Sequence, residues 1–375
     1  MAKRMNWQIG REMDYPYDGP PPKKQVAYVF DINKCIACQT CTIACKTCWT
    51  SGKGQETIFW NNVETKPYGG YPTGWDLKLH EELGPAEWRG GVLESRTPFE
   101  GKDELEPPRG YRPHDQDYNQ PNLGEDETAG IADKGAHFEG IHPMWMFYLA
   151  RICNHCDHPA CLAACPRKAI YKRDEDGIVL VDQQRCRGYQ ECVRACPYKK
   201  VFYNLVSRVS EKCNGCFPRV ENGEVALCVE SCIGKIRMHG FLTTRGGPRE
   251  DNPLDYIVKI RKLALAIYPQ FGTGPNVYYI PPLHIRNDFL EQIFGPGVAA
   301  AKKLYRNLKN DRQLLGALFL FGASNRIIER FAVQGEEAVG WDVDGVEVAR
   351  VPFTEPVYIR EHYDAKRDVY RHNTT

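Results

Sequence analysis

The placement of sixteen cysteines constrains this 375-residue chain more than any other feature. All but one fall into four tight groups. The first is Cys35-x2-Cys38-x2-Cys41-x3-Cys45 and the second is Cys153-x2-Cys156-x4-Cys161-x3-Cys165. The third is Cys186-x5-Cys192-x3-Cys196 and the fourth is Cys213-x2-Cys216-x11-Cys228-x3-Cys232. Disulfide frameworks belong to much shorter secreted chains, with cysteines spread out to close loops. Cysteines this close together in a tight loop seldom reach the geometry of a bridge. The same spacing suits several thiolates converging on one metal centre. The first group has the bacterial ferredoxin pattern, in which three thiolates hold one cubane and the fourth reaches a second. Pro166 and Pro197 directly follow the last cysteines of the second and third groups. Two-residue gaps let a turn aim successive sulfurs and backbone amides at one cluster face. The three-residue step then starts a helix that carries the last thiolate to the neighbouring cluster.

In the third group Tyr189 stands where a second cysteine is expected. One iron corner then lacks its thiolate, and a [3Fe–4S] cluster is the natural outcome. Ligation of a fourth iron by the Tyr189 phenolate is the alternative. The grouped cysteines thus serve three [4Fe–4S] clusters and one [3Fe–4S] cluster. Cys48 is left over and reads as a buried, inert thiol near the first cluster. Structural zinc uses CxxC pairs, two to an ion across a finger-like loop, and quartets with ferredoxin spacing fit that badly. A zinc-binding scaffold is therefore the distant alternative. His155 and His158 lie inside the second group and read as hydrogen-bonding or solvating a cluster, not ligating it. Arg167, Lys168, Lys172, Arg173, Lys199 and Lys200 follow cluster groups, where a partner-docking face and an ordinary solvated surface are both open readings.

The rest of the chain predicts an α+β fold: two ferredoxin-like cluster-binding units related by pseudo-symmetry, a long irregular insertion and a partly helical C-terminal region. Residues 1–50 form an arm rich in Tyr and Pro, an alternating strand at Gln25–Asp31 and the first cysteine group. Residues 51–140, dominated by Pro, Gly and charge, read as the insertion and as a docking surface. Residues 141–240 carry the other three groups, with a hairpin from Ala169 to Asp182. Residues 241–375 predict amphipathic helices at Ile285–Phe294 and Asp311–Phe331, broken between by Gly295-Pro296-Gly297, and a hairpin from Val339 to Val351 turning at Asp344-Gly345. With 49 basic and 48 acidic side chains there is no net field to draw the surface to nucleic acid. Lys3 and Arg4 precede no apolar run, and no twin-arginine pair follows, so no export signal is expected. The most apolar stretch, Leu314–Ala323, is about half of a membrane span and predicts a buried packing helix. Any membrane association is expected only through partners.

The four-group pattern, with an aromatic residue replacing one cysteine, resembles the beta subunits of type II dimethyl-sulfoxide-reductase-like molybdoenzymes. That family includes nitrate, chlorate, perchlorate and selenate reductases, nitrite oxidoreductase, and ethylbenzene and dimethylsulfide dehydrogenases. Further matches are Trp60–Pro67 (WNNVETKP), Ala164–Tyr171 (ACPRKAIY), Pro275–Pro282 (PNVYYIPP) and Phe294–Val298 (FGPGV). The opening Asn6–Arg11, Tyr15-Pro16-Tyr17 and the ending Glu355–Arg360 are most similar to the nitrite oxidoreductase branch. Some members of that branch have Asp at the place of Cys45, and nitrate reductases typically have Trp at the place of Tyr189.

The resemblance implies a ligand pairing that spacing only suggests. Cys35, Cys38, Cys41 and Cys232 would hold the first [4Fe–4S] cluster, and Cys45, Cys213, Cys216 and Cys228 the second. Cys153, Cys156, Cys161 and Cys196 would hold the third, and Cys165, Cys186 and Cys192 the [3Fe–4S] cluster. It also implies a non-catalytic relay. Its partners would be an alpha subunit with a molybdenum bis-pterin cofactor and a further cluster, facing the first cluster, and a haem-b gamma subunit at the three-iron end. The reaction would be nitrite oxidation or nitrate reduction, or alternatively that of one of the other relatives. The complex would lie on the extracytoplasmic side of a membrane by co-export, or alternatively on the cytoplasmic face.

Overall fold

The strand expected at Gln25–Asp31 is the axis of the structure, a computed structural model that describes residues 2–67, 69–101, 108–118, 146–354 and 362–371. The strand runs from Lys24 to Asp31, and every residue after Lys24 is buried. Its alternation sorts side chains between two cores instead of between core and solvent. Val26, Tyr28 and Phe30 enter the core that contains the cysteines, whereas Ala27 and Val29 enter a second core against the C-terminal helices. Each such apolar side chain contributes about 1.5–3 kcal/mol of burial.

The axis strand lies second in a four-stranded sheet. Arg237–Thr243 pairs with it antiparallel, placing Arg237 opposite Phe30. Val277–Ile280 pairs with it in parallel on the other side, and Leu265–Ala266 forms the far edge. Sequence segments far apart therefore share one sheet. The hairpin expected at Ala169–Asp182 is present as Ile170–Lys172 paired with Val179–Val181.

The Tyr- and Pro-rich arm contains an antiparallel hairpin, Ala2–Asn6 with Arg11–Tyr15, that buries Ile9, Met13 and Tyr15. Asn6 ties it down by donating to the Gly272 carbonyl at 2.9 Å. The 51–140 stretch, largely irregular where it is described, nevertheless contains regular elements. Asn62–Lys66 forms a strand paired with Phe147–Arg151, and Trp75–Leu83 forms a helix with Trp75 and Leu79 wholly buried. Its charged residues misled the compositional reading because they satisfy one another inside. Glu64 accepts from Arg151 Nε at 2.9 Å and from Trp75 Nε1 at 2.8 Å, and Lys66 donates to Asp76 at 2.6 Å. Burial would raise the Asp76 pKa, but Lys66 and the Tyr268 hydroxyl outweigh it and hold the group below the usual carboxylate range. Most of Glu104–Gly130, and the Glu355–Arg360 ending, lie outside the described residues.

In the C-terminal region the helices run Asn287–Phe294, Val298–Arg306 and Arg312–Phe319, with the Gly295–Gly297 break between the first two. The third stops well short of the expected Phe331. The chain turns at Gly322, whose φ of +67° no helix continues, and enters a strand at Arg330–Gln334. That strand extends the expected hairpin, Glu337–Trp341 with Glu347–Pro352, to three strands. Leu314 and Ala317 are buried against the sheet, as a packing helix requires. Among the described residues no helix is long and apolar enough to cross a membrane.

Candidate iron–sulfur cluster sites

The next-to-last cysteine of each group lies in a helix. Cys41 is in Thr40–Trp49, Cys161 in Ala160–Ala163, Cys192 in Glu191–Ala195 and Cys228 in Leu227–Glu230. The last cysteine of each group comes four residues later, still within the helix at Cys45 and just past the helix end at Cys165, Cys196 and Cys232. The helices pack in two pairs, Thr40–Trp49 with Leu227–Glu230 and Ala160–Ala163 with Glu191–Ala195.

Four cavities result. One is lined by Cys35, Cys38, Cys41 and Cys232, and a second by Cys45, Cys213, Cys216 and Cys228. A third is lined by Cys153, Cys156, Cys161 and Cys196, and a fourth by Cys165, Cys186 and Cys192 with Tyr189. Within each pair, each group thus keeps its earlier cysteines in one cavity and sends its last cysteine (Cys45, Cys232, Cys165 or Cys196) into the neighbouring one.

Backbone conformation explains how the turns reach in. Ala37 (φ 53°), His155 (φ 42°), Gly188 (φ 69°) and Gly215 (φ 65°) occupy corresponding places in the four groups, each just before Cys38, Cys156, Tyr189 or Cys216. This left-handed conformation turns the chain sharply and costs glycine least. After the last cysteine of three groups, Lys168, Lys199 and Lys235 take φ values of 49°, 49° and 48°. Their amides close back on the carbonyls of Cys165, Cys196 and Cys232 at 3.1, 3.2 and 3.2 Å. Other amides point at thiols: Ala169 at Cys165 Sγ (3.2 Å), Ser210 at Cys186 Sγ (3.4 Å) and Gly215 at Cys213 Sγ (3.4 Å).

The chemistry of the linings fits iron–sulfur clusters. Burial pushes the thiols of Cys192 and Cys216 up to about 11 and those of Cys213 and Cys228 up to about 12. Without a cation these groups stay protonated, whereas a bound metal deprotonates a coordinating thiol outright. Buried N–H donors without partners line the same cavities: Arg237 Nε and Nη1 at the first, and Trp49 Nε1, Trp60 Nε1 and Asn61 Nδ2 at the second. At the third, His155 accepts from the Val179 amide through Nδ1 at 3.1 Å, and burial holds its pKa well below the usual range. The neutral ring then carries its proton on Nε2, which has no partner and belongs to that lining. Orphaned donors cost about 1–3 kcal/mol each when left unmade. Cluster sulfides are acceptors that would satisfy them.

Three expectations change. Cys48 is exposed, not buried, because it sits in the last turn of its helix, beyond the packed face of Cys41, Thr42 and Cys45. It also influences Cys216, a residue of the second cavity. Lys199 and Lys200 belong to no surface: both are buried. Lys199 donates to the Tyr111 and Arg194 carbonyls, each at 2.7 Å, and burial lowers its pKa to about 7, while Lys200 donates to Asn62 Oδ1. His158 packs edge-on against Tyr15 and lines no cluster cavity described above. The buried cations Arg237 and Lys212 escaped sequence reading, since no spacing rule marks them. Arg237 donates to Cys41 Sγ at 2.9 Å, and Lys212 to the Val179 and Cys213 carbonyls.

The exposure of Cys48 gives a direct test of the register. Cys48→Ser should retain every cluster, whereas Cys45→Ser should lose or convert one, read as iron content and low-temperature paramagnetic resonance. The opposite pattern would mean that the first group is out of register.

Residues 144–242 match the 4Fe-4S dicluster domain family. The chain is 44% identical over 311 residues to the chlorate reductase subunit beta of Ideonella dechloratans, covering 74% of this chain and 89% of that protein. It is 43% identical over 313 residues to the selenate reductase subunit beta of Thauera selenatis, at 74% and 89% coverage. With the respiratory nitrate reductase subunit beta of Haloferax mediterranei it shares 42% over 311 residues, at 73% and 83%. Identity at this level, over most of both chains, places the protein in the family of iron–sulfur beta subunits of type II dimethyl-sulfoxide-reductase-like molybdoenzymes.

Proposed function

We propose that the chain relays electrons through four iron–sulfur clusters for a molybdenum-containing catalytic subunit. The exchange of last cysteines within each helix pair, Cys45 for Cys232 and Cys165 for Cys196, carries this reading, because it creates neighbouring sites that share their helices. In this reading Cys35, Cys38, Cys41 and Cys232 hold the first [4Fe–4S] cluster, and Cys45, Cys213, Cys216 and Cys228 the second. Cys153, Cys156, Cys161 and Cys196 hold the third, while Cys165, Cys186 and Cys192 hold a [3Fe–4S] cluster. The two helix pairs and the matched turns support two ferredoxin-like units related by pseudo-symmetry.

The clusters, when bound, supply one-electron carriers. The protein's own residues fix their separation, exclude water and donate hydrogen bonds to the sulfurs from His155, Trp49, Trp60 and Arg237, which tunes potential. The chain is a relay, not a catalyst, in an oxidoreductase complex. Electrons pass between an alpha subunit with a molybdenum bis-pterin cofactor and its own cluster, near the first site, and a haem-b gamma subunit near the three-iron end. Nitrite oxidation or nitrate reduction is the favoured reaction, resting on the terminal segments quoted above. Chlorate or selenate reduction is the second reading, favoured by relatives 44% and 43% identical. In this reading the complex works on the extracytoplasmic side of a membrane, held there by its partners, with the cytoplasmic face as the alternative.

Anaerobically isolated protein should contain about fifteen irons per chain, for three four-iron clusters and one three-iron cluster, and no stoichiometric zinc. A reproducible value near half of that would overturn the ligand assignment. The chain alone should accept electrons from a strong reductant yet turn over neither nitrate nor nitrite until the molybdenum subunit is added. Turnover by beta chain shown free of that subunit would overturn the relay.

A further inference from the structure

Arg237 is buried to 1% exposure at the start of the strand that follows Cys232. Its Nη2 donates to Cys41 Sγ at 2.9 Å and to Asn61 Oδ1 at 3.4 Å. The guanidinium lies 4.4 Å above the ring of Phe30, its cross-strand neighbour. The same cation acts on Cys35 and Cys232 at the first cavity and on Cys228 at the second. Nε and Nη1 have no partner. Among the described residues, no carboxylate figures among these partners. A buried guanidinium without an anion is strongly unfavourable, so its counter-charge must come from what the thiols hold.

The local repeat shows that the fold does not itself require a cation here. Arg237 comes five residues after Cys232, two beyond the left-handed Lys235. Five residues after Cys165 and Cys196, two beyond the left-handed Lys168 and Lys199, stand Ile170 and Val201, both buried at the starts of their own strands. An aliphatic side chain serves the same backbone position twice, and the charge is peculiar to the place between the first and second cavities.

We propose that Arg237 is a positioning residue shared by the first two cluster sites, a permanent buried charge that favours the reduced state of the clusters it touches. A guanidinium stays protonated throughout the working range, so the effect does not depend on pH. A fixed positive charge stabilises the more negative, reduced cluster and raises its potential. The inference rests on the reading of these cavities as cluster sites.

The test uses the iron-loaded complex as isolated, with cluster signals followed by paramagnetic resonance during redox titration. The wild-type complex is the control for the underlying reading: if it lacks the full cluster content, that reading fails, and not the role of Arg237 within it. In Arg237→Met and Arg237→Gln, the reduction equilibrium constant of the first or second cluster should fall at least tenfold, which is about 59 mV for a one-electron couple. The third and three-iron clusters should stay within about threefold of wild type, as should all four in Arg237→Lys, by the distance dependence of the charge effect. Selective loss of the first two clusters in the neutral variants, restored by Lys, would support the same role. Unchanged potentials in Arg237→Met, a shift or loss in Arg237→Lys equal to that in Arg237→Met, or equal effects on all four clusters would overturn it.

Discussion

Replacing Tyr189 by cysteine should abolish the paramagnetic signal of the oxidised three-iron cluster and add one iron per chain. The backbone is already arranged for it. Cys38 lies between Ala37 at φ 53° and Gln39 at φ 59°, and Tyr189 lies between Gly188 at φ 69° and Gln190 at φ 60°. Each pair leads into a helix whose first turn carries the next cysteine, Cys41 or Cys192. Tyr189 lines the fourth cavity and is 59% exposed, so the smaller side chain leaves no buried void. Persistence of the signal in Tyr189→Cys, with the other clusters intact, would refute the missing-thiolate account. Absence of the signal from the wild-type protein, with four irons at this site, would instead favour phenolate ligation.

The second large effect concerns stability. Glu64 is wholly buried among Arg151, Lys66, Trp75 and the Tyr71 amide. Arg151 in turn donates to the Tyr198 and Tyr71 carbonyls at 2.9 and 2.6 Å and lies 3.8 Å above the Trp75 ring. Glu64→Ala leaves two cations buried with one partner fewer, which costs about 3–5 kcal/mol. Thermal unfolding of the iron-loaded protein should move down by several degrees. Under the proposed assignment, bleaching of the third cluster should come first, because Arg151 and Tyr198 stand two residues from Cys153 and Cys196 of that cavity. An unshifted unfolding transition in Glu64→Ala would show that the ion cluster is dispensable.

Metal-ligand spacing is a local code: the turn before Cys38 and the helix after it are set within a few residues, so the cysteine groups can be read directly. The axis strand was legible as a strand because alternation is local too. That both its faces are buried depends on Arg237–Thr243 and Val277–Ile280, more than two hundred residues away in sequence. The charged stretch around Glu64 and Lys66 reads as irregular insertion because a buried carboxylate resembles an exposed one until its partner is known, and Arg151 lies 87 residues on. Lys199 and Lys200 misled for the same reason: composition counts charge, but only tertiary structure says whether carbonyls are waiting for it. Cys48 failed in the other direction, since helix periodicity says nothing of where the packed surface ends.

The parallel pairing of Val277–Ile280 with Lys24–Asp31 has a consequence for biosynthesis. On a ribosome the axis strand emerges early as an apolar ribbon with neither neighbour available, and Cys35, Cys38 and Cys41 emerge with it. Their companion Cys232 follows only after about 10–40 s at ordinary elongation rates. Strand partners separated this widely are slow to find each other, and an unpaired apolar strand invites association with other nascent chains. A complete first site therefore cannot form before Cys232 has emerged, nor the paired axis strand before Ile280 has. Nascent chains halted before that point should need a chaperone to stay in solution, whatever the supply of iron and sulfide.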